Sequence, residues 1–270
     1  MSEAGATGTI QQLLDAERRQ GRRVALLGAV VALAVLASAH FADLLDGGRL
    51  AEGIPAIGVL LGDMLPPDFS NAGDWVGPIL DTLAMSLAGT ALAILLSLPL
   101  CFLAAHNTAP HPLVYRTARL FLNFFRAIPE LILGIVFVAA VGFGTLPGVL
   151  ALGLHSVGMV GKFFAEAVEH VDGKPVEAAH AAGAAPFQVV QHAILPQVLP
   201  QFLDVAVYRW EYNFRASTVM GMVGAGGIGL ELMSALRLMQ YQNVAGILIC
   251  ILAMVTVVDS VGSALRRRLK

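Results

Sequence analysis

Four ionisable side chains, Asp204, Arg209, Glu211 and Arg215, stand inside one largely apolar segment. An ionised group at the centre of a bilayer costs roughly 2.5–3.5 kcal/mol on insertion scales, so such groups pair with one another or face water. At helical spacing Asp204, Tyr208, Glu211 and Arg215 share one face, and Glu211–Arg215 is an i,i+4 pair in the favourable order. Arg209 points to another side, with Asn213 on its own face and no local carboxylate. Arginine offers a planar fork of donors suited to phosphate-like oxygens. The pattern fits two roles. The helix could line a path on which Arg209 or Arg215 meets a passing anion. Alternatively, all four charges join helices, with Arg126, Glu130 and the Lys162–Glu166 pair as available partners.

Other reactive residue types are scattered. His155 lies in an apolar run, where it could donate to an anion or bond a neighbouring helix. His40, His106, His111, His170, His180 and His192 show no ligand spacing, and Cys101 and Cys250 have no partner at metal-binding distance in sequence. Gly224-Ala225-Gly226-Gly227-Ile228-Gly229 matches G-x-G-x-x-G literally. It follows an apolar span rather than a strand, and no acid lies about 20 residues on, so a dinucleotide site is excluded. The glycines suit close helix approach, or a flexible break near the external mouth of a path. No P-loop is present, so this chain does not hold ATP through one.

These residues must be positioned by membrane-spanning helices. The chain of 270 residues is 57% hydrophobic and 13% charged, with net charge −2. A soluble domain carries about a quarter charged residues, and nucleic-acid binding would need a basic patch that is absent outside the termini. Apolar runs predict six spans: Val24–Ala42, Thr82–Ala105, Ala127–Phe143, Leu146–Phe164, Leu199–Val223 and Val244–Val258. The first reads as a retained helix rather than a cleaved signal. Arg18, Arg19, Arg22 and Arg23, then Arg116, Arg119 and Arg126, then Arg266, Arg267, Arg268 and Lys270 fall on one side of this count. The positive-inside rule puts both termini in the cytoplasm. Residues 1–23 form a cytoplasmic segment, 24–42 the first span, 43–77 a Gly/Pro/Asp-rich external loop, and 78–270 a five-helix core.

Between the fourth and fifth spans runs EAAHAAGAAPFQVVQHAILPQVLP, Glu177–Pro200. Glu177–Ala182 predicts a short helix of small residues interrupted at Gly183. Pro186 opens a second helix, to about Leu195, with an apolar stripe of Phe187, Val190 and Ile194. Pro196 and Pro200 mark a turn back toward the fifth span. Such a surface hairpin can dock in the groove of a partner.

Glu177, Ala178, Ala179, Gly183, Leu195 and Pro196 resemble the EAA loop of ATP-binding-cassette importer permeases. The chain has Ala182 where many members carry Asp, and Ala193 where many carry Ile. YRWEYNFRASTVMGMVGAGGIG (Tyr208–Gly229), FRAIPE (Phe125–Glu130) and PPDFS (Pro66–Ser70) look like the permease of phosphonate importers. The resemblance implies an all-α integral membrane protein of about six transmembrane helices, of type I importer permease kind, with cytoplasmic coupling helices at 166–200. It implies a multi-pass inner-membrane subunit, not an enzyme, that moves a phosphonate or a related oxyanion such as phosphite. Implied partners are a second copy in a homodimer, two ATPase subunits, a periplasmic phosphonate-binding protein and membrane lipid. ATP and Mg are bound by the ATPase, and no cofactor by this chain. The expected substrate path comprises Arg209, Glu211, Asn213, Arg215, His155, Gly224, Gly226, Gly227 and Gly229. An amino-acid cargo is the alternative within transport. An integral-membrane enzyme is the alternative outside it, and no catalytic His, Asp or Ser cluster supports that.

Overall fold

A computed structural model describes residues 3–269, and every regular element among them is helical. Contacts divide the chain into residues 1–63 and 64–270.

The first unit holds α1 (Glu3–Phe41) and α2 (Gly47–Asp63). The Arg19–Phe41 part of α1 is long and apolar enough to cross a membrane. The expected N-terminal segment and first span therefore form one continuous helix. Asp46 Oδ1 accepts from the backbone N–H groups of Gly48 and Arg49 at 3.0 and 3.3 Å, which starts α2, and Arg49 ion-pairs with Asp43. The 43–77 segment is thus not loop throughout. Its Gly, Pro and Asp residues mask a helical apolar spacing at Leu50, Ile54, Ile57 and Leu61, all exposed.

The second unit opens with a turn in which Asp68 Oδ1 accepts from Ser70 N–H at 2.8 Å. That backbone bond, then the Ser70 hydroxyl, holds the Asp68 carboxyl below the usual carboxylate range. The core is built on α3 (Val76–Ala104) and α6 (Thr145–Glu169), the most extensively packed pair of helices. Small residues let them approach. A Cβ at Gly153 would fall 2.7 Å from a Leu92 methyl of α3; on another side of α6, one at Gly158 would fall only 2.5 Å from the Leu122 carbonyl oxygen of the next helix, residues 112–127.

α4 (Pro112–Ala127) and α5 (Glu130–Val141) meet at 84° across Ile128-Pro129. Proline supplies no N–H and disfavours a helical residue before it, so the helix breaks there. The expected third span, Ala127–Phe143, is corrected by this geometry. At 12 residues α5 is about 18 Å long, well short of a bilayer's ~30 Å hydrocarbon core. Only α4 and α5 together, bent, have span length.

α7 is Gly173–Ala181 and α8 is Pro186–Val189. α8 runs through a π turn at Val190–Ile194 into α9, Leu195–Met220. The expected turn at Pro196 and Pro200 is not found. The wider π turn carries the chain past the missing proline donor at Pro196 without breaking the helix. A second π turn, Gly221–Ala225, and a break at Gly226-Gly227 lead into α10 (Ile228–Arg237), bent by 58°. α11 (Tyr241–Leu269) closes the unit against α9 and α10. Among the described residues four helices have the length and apolarity of a span, or up to six if each bent pair counts as one.

Candidate functional site

A seam of polar side chains runs between α3, α6 and α9. Thr90 Oγ1 donates to the Ser86 carbonyl at 2.7 Å and accepts from Asn213 Nδ2 at 2.9 Å. Asn213 Oδ1 lies 3.1 Å from Ser156 Oγ, which accepts from Arg209 Nε at 2.8 Å. Ser156 and Asn213 are fully buried, and Arg209 is 1% exposed. Interhelical bonds of this kind contribute about 0.6 kcal/mol each in membrane proteins, up to ~1.7. Their larger effect is on register, because each mismatched helix position leaves a buried polar atom unpaired.

Arg209 has no carboxylate in direct contact. Its guanidinium carbon sits 4.3 Å from the centre of the Tyr212 ring, Nη1 is 3.1 Å from Met159 Sδ, and Nη2 has no partner. Tyr212 links it outward, since the Tyr212 hydroxyl donates to Glu130 Oε1 at 2.9 Å. Glu130 Oε2 lies 2.9 Å from His155 Nε2, and His155 Nδ1 lies 3.0 Å from the Ile128 carbonyl. Both ring nitrogens of His155 are therefore engaged within the subunit. They brace the α4–α5 break, where the Ile128 carbonyl has lost its helical partner.

The other charges of α9 turn to α11. Glu211 Oε1 is 2.8 Å from Arg266 Nη1, and Arg215 Nη1 is 2.8 Å from Asp259 Oδ1. The expected Glu211–Arg215 pair is not formed, because each reaches across to α11 instead. Gly262 makes room for the Glu211 carboxylate, whose carbon would lie 2.8 Å from an added Cβ. Lys162 and Glu166 pair only with each other, at 3.7 Å.

At the glycine run, Gly224, Gly226 and Gly227 have φ of 103°, 80° and 72°. These are left-handed values that favour glycine. The N–H of Ile228 donates to Thr82 Oγ1 at 2.9 Å, which ties the break to α3. A Cβ at Gly229 would run into the Thr218 backbone, so the chain folds tightly back on α9 here.

The hairpin of α7 and α8 lies at the far end of α9. Asp172 caps α7 by accepting from Lys174 N–H at 3.0 Å, and Gly183, φ 80°, ends it. Gln188 Oε1 accepts from Ala185 N–H at 2.8 Å and starts α8. Glu177, Ala178, Gly183 and Pro196 are exposed, and Ala179 and Leu195 half-buried. The packed face differs from the expected stripe. Val189, Ala193 and Ile194 are buried and Val190 half-buried, whereas Phe187 points outward, 75% exposed. Sequence spacing missed Ser156, Thr90, Tyr212 and Met159. Serine and threonine at small-residue spacing on α3 and α6 were the available signal.

Residues 97–270 match the family described as "Binding-protein-dependent transport system inner membrane component". The chain is 65% identical over 252 residues to the phosphite transport system permease protein PtxC of Stutzerimonas stutzeri, covering 93% of this chain and 90% of that one. It is 44% identical over 218 residues to the phosphate-import permease protein PhnE of Mycolicibacterium smegmatis, covering 81% of this chain and 41% of that protein. Among solved structures, an inward-facing MetNI methionine ABC transporter superposes with TM-score 0.63 at 23% identity, covering 73% of this chain and 96% of that chain. A bacterial ABC transporter that imports alginate superposes with TM-score 0.61 at 16% identity, covering 84% and 96%. The all-α, type I importer permease fold expected from the sequence is the fold found. With its buried polar seam, broken spans and exposed hairpin, the chain belongs to the inner-membrane components of binding-protein-dependent transport systems: it is a transport permease, not an enzyme.

Proposed function

We propose that this permease carries a small phosphorus oxyanion, phosphite or a phosphonate, inward through the bacterial inner membrane. The 65% identity to a phosphite permease over nearly the whole chain carries the reading and puts phosphite first. The E. coli protein described as a putative cryptic phosphonate transport permease, PhnE2, 40% identical over 118 residues, keeps phosphonates as the second candidate. Two permeases pair about a two-fold axis, each facing one ATPase, and a periplasmic binding protein delivers the anion. ATP and Mg sit on the ATPase. The termini lie in the cytoplasm with the arginine-rich segments.

The α7–α8 hairpin is the coupling element. Its exposed Phe187 is a large apolar side chain on a mostly polar surface, suited to insertion in a cleft of the ATPase. Gly183 at φ 80° sets the angle between the two helices, and a side chain there costs about 1–2 kcal/mol of backbone strain. Closure of the ATPases moves the hairpin, and through the continuous α8–α9 helix it moves the polar seam.

The test is ATPase activity of the co-expressed transporter in lipid nanodiscs with its binding protein, given phosphite, methylphosphonate, phosphate or methionine in turn. Phosphite or methylphosphonate should stimulate. Glu177→Ala and Gly183→Val should leave the complex assembled but separate hydrolysis from uptake. Stimulation by methionine alone would replace the cargo assignment, and normal transport by both variants would remove the coupling role.

A further inference from the structure

Met159 is a thin wall between two features that α6 and α9 bring together. Behind it lies Arg209, 1% exposed, with Nη1 3.1 Å from the Met159 sulfur and Nη2 without a partner. In front lies an open groove of about 640 Å³ lined by Met159, Phe163, Asp204, Tyr208, Glu211 and Arg266. A thioether is a weak acceptor, so the contact that closes the wall is the weakest polar contact Arg209 makes. Methionine is also unbranched, with freely rotating bonds, so a rotamer change alone can open it. Nε would stay fixed on Ser156 meanwhile.

That rotation adds one positive charge to the groove, which cancels its net negative charge. Glu211 is matched by Arg266 at 2.8 Å, whereas Asp204 forms no ion pair among the described residues. With Met159 in place the groove carries one unmatched negative charge and repels an anion. With Met159 aside, the guanidinium is added to the lining and balances Asp204. Its Nη1 and Nη2 are then both free to donate, the paired geometry that suits two oxygens of one phosphorus oxyanion.

We infer that Met159 and Arg209 form a gated transit site for a small phosphorus oxyanion. Met159 swings aside, the Nη1–Nη2 edge of Arg209 takes the anion from the groove, and return of Met159 expels it. The inference rests on the cargo proposed above.

The experiment uses the whole transporter in nanodiscs, with Cys101 and Cys250 replaced by Ala and Met159→Cys introduced. The rate at which a small neutral thiol reagent labels position 159 is followed with and without phosphite, at rest and with the ATPases trapped by vanadate. Phosphite at about ten times its half-saturating concentration should slow labelling about 10-fold in at least one of these states. Chloride at equal ionic strength should not. Adding Arg209→Gln should abolish the protection while labelling itself persists. If the Met159→Cys transporter takes up phosphite saturably but phosphite protects position 159 in no state, the site is wrong and the cargo stands. If the unsubstituted transporter takes up neither phosphite nor methylphosphonate, the cargo reading fails and the site with it.

Discussion

Arg209 and Arg215 stand six residues apart on α9 and meet opposite surroundings. Arg209 is buried and held by a hydroxyl, an aromatic face and a thioether. Arg215 is half-exposed and held by a carboxylate, Asp259 of α11, just as Glu211 is held by Arg266. A charge matched by a carboxylate across two helices fastens them. A charge held by neutral dipoles keeps most of its attraction for an incoming anion, and its burial costs more. On the side of α9 that faces α3 and α6, substitution should therefore reach transport as well as stability. At the Arg215–Asp259 pair toward α11 it should reach only the contact between the two helices.

The sharpest way to break this contrast is Arg209→Glu, which places a carboxylate among the seam residues with no cation to match it. An unmatched buried charge costs about 3–5 kcal/mol, so thermal unfolding in detergent should fall well below that of the parent. Next in size is Asn213→Leu. It leaves the Thr90 and Ser156 hydroxyls without their cross-helix partner, and a cost of about 1–3 kcal/mol is expected in the same assay. On the other side, Glu211→Gln should weaken the α9–α11 contact, and adding Arg266→Gln should recover part of the loss. The interaction energy in that double-mutant cycle should fall at about 0.5–3 kcal/mol. Arg215→Gln should do least, about 0–1 kcal/mol, with uptake near that of the parent, because its pair is half-exposed. If Arg215→Gln abolished uptake while Arg209→Lys left it normal, the roles of the two sides would be reversed.

Much of this was legible in the amino-acid sequence because membrane physics is restrictive. The apolar runs on α1, α3, α6 and α11 are long enough to be read directly. Glu177, Gly183 and Pro186 announced a short surface hairpin through their local conformational preferences, and Gly183 ends α7 as expected. What failed were judgements that needed a third dimension. The Ala127–Phe143 run is apolar apart from Glu130, but Pro129 and the 84° bend divide it, and hydropathy does not register direction. Pro196 and Pro200 read as a turn, although Pro196 takes an early position in α9 after a π turn and Pro200 sits inside the same helix without ending it. The i,i+4 spacing of Glu211 and Arg215 was real, yet Arg266 and Asp259 lie nearer in space and remote in sequence. Likewise Ser156 and Met159 became visible as neighbours of Arg209 only when α6 was packed against α9.

The most direct measurement is uptake by the purified transporter in proteoliposomes, with ATP and the ATPases on one side and the binding protein with labelled phosphite on the other. Phosphite should accumulate against its gradient only when ATP and binding protein are both present. Unlabelled methylphosphonate should compete, methionine should not, and Arg209→Gln should abolish the accumulation. ATP-driven accumulation of methionine without that of phosphite or methylphosphonate would contradict the account.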